Sequence, residues 1–428
     1  MSVIRDATTF DELIRNLAGL PFAWGRPRRL AVAVSGGSDS MACLEVMLWH
    51  GRELGFPVEA VTVDHGLRPE TSGEIAAVAG HCAEKGIPHT VLTWKWRGAG
   101  NLQAEAREAR YRLISDWARS SGIDQVALGH TRDDVAETFL MRLARKAGVD
   151  GLSEMDRRFT RHGTTWTRPM LDHGREEWRE YLVRRDIPWI EDPSNDDPKF
   201  ERVRVRDRLK ALSKLDIDAG TLSEVARNMS AAREALEHYV RREAARIASE
   251  ENGDVILAVD ASRQGHHVPR EILFRLRRHA MTWVGGGAYP PRSDAMLELD
   301  NALQDGRRHT LAGCIITRGS DSRDDPVPWR ISREFNAVKN MSGPTDQPWD
   351  GRWIIEGPHS DELEVRALGE AVKDTPWRET GMPRQSLFAS PAIWRGATLV
   401  AAPVAGLAGS WTAKATGRGK FDEFLQSR

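Results

Sequence analysis

A short polar turn after the first apolar run of the chain carries the first residues that suggest chemistry. The turn reads Ser35-Gly36-Gly37-Ser38-Asp39-Ser40, follows the run Arg29–Val34 and opens a helical pattern. Backbone N–H groups at a helix start attract anions, and glycines let a phosphate approach the backbone closely. A generic strand-to-helix turn would use serine or aspartate only as a cap. The complete set favours a phosphate site, with Asp39 either capping the helix or holding Mg²⁺ beside the phosphate.

A second set of chemical side chains follows the run Gln125–Leu128. It includes His130, then Asp133, Asp134 and Glu137 in the next helical pattern. Residues three or four apart share a helix face, so these carboxylates can converge on a metal ion or an ammonium group. An acidic first turn is also what any helix favours, which leaves a purely structural interpretation open.

Three further segments carry cationic or basic side chains. Asp64 and His65 follow the run Val58–Val63 and precede Arg68, a pattern that suits a nucleotide and its phosphates but also a solvated loop. Arg107 and Arg110 share a face of a predicted helix. An alternating arginine run comprises Arg202, Arg204, Arg206 and Arg208. It predicts contacts with a phosphate backbone or, alternatively, a solvated helix face.

The elements that must position these residues alternate between strand and helix. Strands are predicted at Arg29–Val34, Val58–Val63, His89–Thr93 and Gln125–Leu128, and helices at Met41–Leu54, Gly73–Lys85, Leu102–Ser120 and Asp133–Ala147. This alternation predicts an α/β fold with a doubly wound parallel sheet. Ligands of such sheets bind beyond the carboxyl ends of the strands, where the polar segments fall.

The rest of the chain predicts two further domains. A charged helical pattern at Leu222–Glu250 and another at Arg270–Val284 indicate a helical domain, and the Pro-, Gly- and Trp-rich remainder a small mixed or β-rich one. We therefore expect domains at 1–214, 215–326 and 327–428. Trp377, Trp394 and Trp411 of the last domain are expected to pack in its core, although they could stack on bases.

The composition limits the class of protein. The 428 residues carry a formal net charge of −1, which gives no global attraction to nucleic acid, so such a partner must be met by local basic patches. The three cysteines, Cys43, Cys82 and Cys314, are too scattered for a disulfide framework or a C-x-x-C site. The charged amphipathic pattern of Met1–Leu20 is a predicted helix and not a secretory signal, and no membrane span is predicted. These features predict a cytoplasmic protein.

Taken together, the motifs resemble the tRNA(Ile)-lysidine synthetase family. The polar turn is not a Walker A sequence but is similar to the SGGxDS loop of the PP-loop ATP pyrophosphatases, which several families share. The further matching motifs are His65-Gly66-Leu67-Arg68-Pro69-Glu70, the N-x-x-x-x-A-R-x-x-R-Y pattern from Asn101 to Tyr111, the H-x-x-D-D-x-x-E-T block from His130 to Thr138, Gly148–Leu152, Arg168-Pro169-Met170-Leu171, and Glu191-Asp192-Pro193-Ser194-Asn195 with the arginine run behind it. They span Leu30 to about Lys210, and the family more often has Gln at Val135 and Leu at Met170.

The resemblance implies a reaction and its substrates. The C2 carbonyl oxygen of a wobble cytidine in tRNA(Ile) with a CAU anticodon would attack the α-phosphate of ATP. Pyrophosphate would leave, and free L-lysine would then displace AMP. An oligomeric state, monomer or homodimer, is left open.

The resemblance also implies roles for individual residues. The loop Ser35–Ser40 would hold the departing pyrophosphate, with Mg²⁺ on Asp39. His65 and Arg68 would serve the phosphates or the base, and Arg107 the lysine carboxylate or a phosphate. Asp134 and Glu137 would hold the lysine ammonium or take its proton. Basic helix faces, including Arg241, Arg242, Arg246, Arg275, Arg277 and Arg278, would meet the tRNA or be merely solvated.

Three alternatives remain at this point. A tRNA cytidine thiolase shares the loop but generally relies on paired cysteines. An amide-forming synthetase would bring a glutaminase domain or take ammonia. A non-catalytic, nucleotide-dependent RNA-binding module would not need the retained acids and bases.

Overall fold

The computed structural model describes residues 25–66, 71–96, 102–191, 197, 199, 201–259, 268–287, 290–305, 307–318 and 327–426. The predicted N-terminal helix, Arg68 and the segment Asp192–Asn195 lie outside these residues. The chain forms two compact units that meet in sequence between Arg233 and Glu234. The division into three domains remains a prediction.

The first unit is built on one six-stranded sheet. Its strands are β1 (Leu30–Ala33), β2 (Val58–Asp64), β3 (His89–Thr93), β4 (Gln125–Ala127), β5 (Arg158–Arg161) and β6 (Thr164–Thr167). Their order is β3-β2-β1-β4-β6-β5, and every neighbouring pair is parallel except the hairpin of β5 and β6. The predicted doubly wound parallel sheet is confirmed.

Helices cover both faces of this sheet. They are α1 (Ser38–Leu54), α2 (Thr71–Glu84), α3 (Leu102–Ser120), α4 (Arg132–Ala144), α5 (Val149–Leu152), α6 (Arg175–Arg184) and α7 (Glu201–Leu212), with a 3₁₀ turn at Ser213–Leu215. The central strand β1 is buried throughout, because alternate residues point into different cores. Leu30 and Val32 pack with α1 and α6, whereas Ala31 and Ala33 pack with α3.

The sequence patterns place the first four strands and α1 to α4 to within a few residues of their observed bounds. The patterns do not predict the β5–β6 hairpin or α6. Helix α6 packs along α1, so its first turn lies beside the polar turn after β1. That packing positions much of the site described below.

The second unit combines helices with antiparallel sheets. Helix α8 (Ala219–Ile247) contains the boundary, and α9 (Arg270–Gly285), α10 (Ser293–Gln304), α11 (Phe335–Val338), α12 (Arg384–Phe388) and α13 (Phe421–Gln426) follow. The 3₁₀ turns are Gly369–Asp374, Trp377–Thr380 and Pro403–Ala405. The strands are β7 (Ala248–Glu251), β8 (Asp254–Val259), β9 (His309–Leu311), β10 (Cys314–Arg318), β11 (Val327–Arg333), β12 (Ser342–Pro344), β13 (Ile354–Glu356), β14 (Glu364–Ala367), β15 (Pro391–Arg395), β16 (Thr398–Ala401) and β17 (Thr412–Lys414).

These strands form three sheets. Their orders are β7-β8-β11-β10-β9, β12-β14-β15-β16 and β13-β17. Four strands, β7 to β10, accompany the helices in the described part of 215–326, a feature that its helical periodicity does not predict. In the last segment Trp411 is buried in the core, and Trp377 and Trp394 pack against that core.

One predicted RNA-facing surface needs correction. Arg275 is 2% exposed and paired with Glu237 and Glu271, and Arg277 is buried and paired with Asp300. Both guanidinium groups form ion pairs inside the second unit, so they do not form an exposed basic face with Arg278. Arg242 and Arg246 are exposed, as predicted for their helix face.

Across the described ranges, no helix combines the length and apolar character needed to cross a bilayer.

Candidate active site

A polar cleft of about 530 Å³ lies at the carboxyl edge of the parallel sheet in the first unit. Its walls come from the ends of β1 and β4 and from the helices that follow them, together with α3, α6 and α7. The side chains and backbone that line it are Ala33, Ser35, Gly37, Ser38, Asp39, Ser40, Arg107, Arg110, Tyr111, Leu128, Gly129, His130, Asp134, Arg175, Arg179, Trp189, Ile190, Glu191, Arg202 and Arg206. This is the edge where the sheet topology predicts a ligand.

Serine side chains hold the polar turn after β1 in shape. The Oγ of Ser40 accepts the N–H of Ser35 at 3.1 Å and donates to the carbonyl of Gly37 at 2.9 Å. Gly37 is extended, with φ −72° and ψ 159°, and precedes the first residue of α1. The start of a helix therefore faces the cleft, in an arrangement that favours phosphate.

Asp39 lies at the start of α1 and is paired with Arg175 from α6. The Nε of Arg175 donates to Oδ2 of Asp39 at 2.9 Å, and the Oγ of Ser38 lies 3.3 Å from Oδ1. Burial raises the pKa of Asp39 above its usual value, and the nearby Arg175 opposes that rise. The pair is partly accessible from the cleft, since the two side chains are 18% and 21% exposed.

Asp134 caps its own helix and also faces the cleft. Its Oδ2 accepts the N–H of Thr131 at 2.9 Å, and its Oδ1 accepts Nη1 of Arg202 at 3.3 Å. Burial favours the neutral acid, but the charges of Arg175 and Arg202 and the hydrogen bond from Thr131 outweigh it and keep the pKa of Asp134 below its ordinary value. Asp134 is therefore a carboxylate at neutral pH.

Glu137 lies one turn further along α4 and is fully buried. Its Oε1 accepts Nε of Arg206 at 2.6 Å, whereas Oε2 has no hydrogen-bond partner among the described residues. Burial and the negative charge of Asp134 raise the pKa of Glu137. A buried carboxylate oxygen without a partner is costly, so Oε2 is suited to receive a donor from a ligand.

His130 is a neutral imidazole. The Nε of Arg168 donates to its Nδ1 at 3.3 Å, which places the ring proton on Nε2. Burial lowers the pKa of His130 far below its usual value, and Arg168 and Arg202 lower it further. The ring therefore supplies a donor to the cleft without a charge.

Two arginines of α3 also line the cleft. Arg107 and Arg110 project from α3, and within the described ranges neither is paired with a carboxylate. Burial lowers the pKa of Arg110, and the charge of Arg107 adds to this effect. Two cations without a carboxylate partner among the described residues favour an anionic ligand at this part of the cleft.

Comparisons with known proteins agree with this geometry. A family model described as a PP-loop domain matches residues 6–212. The tRNA(Ile)-lysidine synthase of Ruegeria pomeroyi is 46% identical over 391 residues, which are 91% of each chain. The enzyme of the same name from Zymomonas mobilis is 38% identical over 76% of this chain and 93% of its own, and that from Wolbachia pipientis wMel is 33% identical over 76% of each.

The chain belongs to the tRNA(Ile)-lysidine synthase family. It is an ATP-dependent tRNA-modifying enzyme. The family resemblance predicted from the motifs is confirmed, and the match extends well beyond the first unit. Cys43, Cys82 and Cys314 are all buried and lie on separate elements, so they do not provide the paired cysteines expected of a thiolase.

The structure brings most residues predicted from the family motifs into one cleft. Those that line it are Ser35, Gly37, Ser38, Asp39, Ser40, Arg107 and Asp134. Gly36 and Glu137 do not line the cleft, but Glu137 contacts two residues that do, Arg175 and Arg206. His65 does not line the cleft: its ring packs edge-on against Trp94 at 5.6 Å. Arg68 lies outside the described residues.

Arg175 and Arg179 are site residues that the sequence analysis does not identify. They lie one turn apart at the start of α6, and Nε of Arg179 approaches Oγ of Ser38 at 3.5 Å. The sequence feature that could have identified them is their spacing at i, i+4 directly after Gly174. That signal is weak, because α6 is rich in charged residues along its whole length.

Proposed function

We propose that this cleft binds ATP and free L-lysine and forms lysidine at the wobble cytidine of tRNA(Ile) with a CAU anticodon. One observation carries the proposal. The polar turn after β1, the buried Asp134, and Arg107 and Arg110 line the same cleft, and the two arginines have no carboxylate partner among the described residues. Glu137 contacts two residues that line this cleft, Arg175 and Arg206. These groups match the triphosphate, the ammonium and the carboxylate of the two small substrates.

The first step activates the base. The C2 carbonyl oxygen of cytidine attacks the α-phosphorus of ATP, a P–O bond forms, and the bond to pyrophosphate breaks. The loop Ser35–Ser40 holds the outer phosphates with backbone N–H groups and hydroxyls, and Arg179 adds positive charge beside Ser38. Stabilising the charge of the departing pyrophosphate lowers the barrier. The oxygen at C2, otherwise a poor leaving group, becomes part of AMP.

The second step forms the C–N bond. The ε-amine of lysine attacks C2, the C2–O bond breaks, and AMP leaves. A protonated amine cannot attack, so a proton must first go to a base. Glu137 is suited to take it because burial raises its pKa and Oε2 has no hydrogen-bond partner in the part of the chain that the structure describes. Asp134 stays ionised and orients the ammonium, while Arg107 binds the lysine carboxylate or a phosphate.

Asp39 is suited to hold Mg²⁺ at this site. Mg²⁺ usually binds one or two protein carboxylates and takes its other ligands from phosphates and water. Asp39 provides one carboxylate at the edge of the phosphate turn, and in the described ranges no cluster of three or more metal-ligating side chains exists. The ion would supply positive charge to the phosphates.

The remaining assignments concern the nucleotide and the RNA. His65 and Arg68 would serve the nucleotide phosphates or the base. The Nδ1 of His65 is buried and has no hydrogen-bond partner among the described residues. The second unit would select the tRNA, with Arg242 and Arg246 as exposed cations. A monomer and a homodimer are both compatible with this scheme.

Nucleoside mass spectrometry tests the proposal. The enzyme is incubated with a tRNA(Ile) transcript carrying CAU, ATP and isotope-labelled L-lysine, and the digested RNA is analysed. We expect one lysine-modified cytidine per tRNA, together with equal amounts of AMP and pyrophosphate. A transcript with uridine at the wobble position serves as control and should remain unmodified. ADP and orthophosphate as products, or no lysine in the RNA, would overturn the proposal.

A further inference from the structure

The guanidinium group of Arg175 lies among three carboxylates from two helices. Its Nε is 2.9 Å from Oδ2 of Asp39, its Nη1 3.5 Å from Oε1 of Glu137, and its Nη2 3.8 Å from Oδ2 of Asp134. Only the first distance is that of a good hydrogen bond. Arg175 is therefore shared among the acids and held tightly by only one of them.

The backbone of Arg175 is fixed, although its side chain faces the cleft. Its N–H donates to Oδ2 of Asp133 at 2.6 Å at the start of α6. The side chain lines the cleft and is 18% exposed. One turn later Arg179 approaches Ser38, so the phosphate turn is within reach of side chains from this helix. The guanidinium of Arg175 can change partners without movement of its backbone.

Each acid that Arg175 approaches already has an arginine within 4 Å. Arg175 pairs with Asp39, Arg202 with Asp134 and Arg206 with Glu137. A lysine ammonium would compete with these arginines for the same carboxylates. Its binding is favourable only when one of the arginines turns away from the acids.

Arg175 is the arginine best suited to turn away. Arg206 bonds Glu137 at 2.6 Å, and Arg202 bonds Asp134 at 3.3 Å, so each has one acid of its own. Arg175 instead reaches Asp39, beside the phosphate turn. A triphosphate on that turn would offer oxygens to which a guanidinium binds in a bidentate manner.

We propose that Arg175 is a positioning residue that occupies the ammonium site until ATP binds, and then moves to the phosphates. This inference rests on the proposed binding of ATP and lysine in one cleft. It makes the two substrates cooperative, because the nucleotide removes the cation that competes with lysine. By linkage, lysine strengthens nucleotide binding by the same factor.

Calorimetric titration of L-lysine into the full-length enzyme tests the proposal. Each titration is made alone and with an ATP analogue that has a methylene group between the α- and β-phosphorus. In the wild type the analogue should tighten lysine binding at least about tenfold, within the usual range for coupled sites. In Arg175→Gln, lysine should bind about as tightly without the analogue, and the analogue should change its affinity less than about threefold.

Two further variants control the experiment. Arg184→Gln removes a cation from the last turn of α6, where Arg184 pairs with Glu180, and should keep the wild-type coupling. Arg175→Lys keeps the charge but not the planar fork, and should show a reduced analogue effect. It replaces the Gln variant if that variant does not fold by circular dichroism.

The titration and the nucleoside assay distinguish failure of this inference from failure of the proposed function. If a folded Arg175 variant shows the same coupling between lysine and the ATP analogue as the wild type, the proposed role of Arg175 is wrong. The proposal that the enzyme forms lysidine would not be affected. If lysine-modified cytidine is absent from the RNA in the nucleoside assay, the proposed function fails, and the inference falls with it.

Discussion

The N–H of Ile190 donates to the carbonyl of Gly36 at 2.9 Å, and Cδ1 of Ile190 lies only 2.7 Å from where a Cβ on Gly36 would stand. Gly36 also has φ +88°, a conformation that side-chain-bearing residues rarely adopt. The segment that contains Trp189, Ile190 and Glu191 therefore packs against the turn Ser35–Ser40. This contact constrains the backbone of the turn at Gly36.

Alanine at Gly36 should distort the turn Ser35–Ser40. The substitution combines backbone strain with a clash against Ile190, so we expect a loss of about 1–3 kcal/mol in the free energy of unfolding. The matched control is Gly37→Ala, because Gly37 has φ −72° and its nearest neighbours would be 3.9 Å from the new Cβ. Urea unfolding of both variants checks the prediction. Equal destabilisation by the two would show that the contact with Ile190 does not constrain Gly36.

Asparagine at Asp39 should impair the first chemical step. The amide keeps the size of the side chain but removes the charge that would bind Mg²⁺ beside the phosphates. We expect the rate of pyrophosphate release to fall by about 10²–10³-fold, as is typical when one stabilising group of a transition state is removed. Pyrophosphate release from ATP and tRNA measures the effect.

A matched variant separates catalysis from general damage at Asp39. Asp116 is an exposed aspartate on α3 that pairs only with Arg119 among the described residues. Asp116→Asn should retain the wild-type rate of pyrophosphate release. A wild-type rate in Asp39→Asn would rule out the assigned role of that carboxylate.

The first unit was predictable because its signals are local. Strand β1 is a continuous apolar run that ends in a glycine-rich turn, as is typical of a central parallel strand. Helix α4 places Asp134 and Glu137 on one face by its period alone. The position of Arg175 could not be predicted, since it lies 136 residues from Asp39 and reaches it only through the packing of α6 on α1.

The second unit shows the limit of periodicity. The run Ala248–Glu251 continues the charged pattern of α8 and gives no sign of a strand. It becomes β7 by pairing with β8, a tertiary effect that a local pattern does not contain. Likewise, Arg275 and Arg277 look like surface residues in the sequence, but buried ion pairs take them out of solvent.

Glutamine at Arg206 should destabilise the first unit. Arg206 bonds the fully buried Glu137 at 2.6 Å, and its loss leaves a buried carboxylate without that compensation. Because Arg206 is 29% exposed, solvent screening reduces the cost, and we expect about 1–3 kcal/mol in the free energy of unfolding.

Two variants test the cause of that loss. Arg208→Gln changes an exposed arginine on the same helix and should leave stability within about 0.5 kcal/mol of the wild type. Combining Arg206→Gln with Glu137→Gln should recover part of the stability, since no buried charge is then left uncompensated. A double variant less stable than Arg206→Gln would show that charge compensation is not what Arg206 provides.

His50 should make the stability of the enzyme fall in mild acid. Burial lowers the pKa of His50 to about 4, whereas in the unfolded chain it is near 6.5. Below pH 6.5 His50 binds a proton in the unfolded state but not in the folded state. The free energy of unfolding therefore decreases as the pH falls from 6.5 towards 4. Between pH 7 and pH 5 this amounts to about 1–2 kcal/mol.

Urea unfolding at pH 7 and pH 5 measures this effect. The loss of stability should be smaller by that amount in His50→Leu, whereas His238→Leu, at an exposed histidine, should match the wild type. Identical pH profiles for the wild type and His50→Leu would mean that His50 accepts a proton in the folded enzyme.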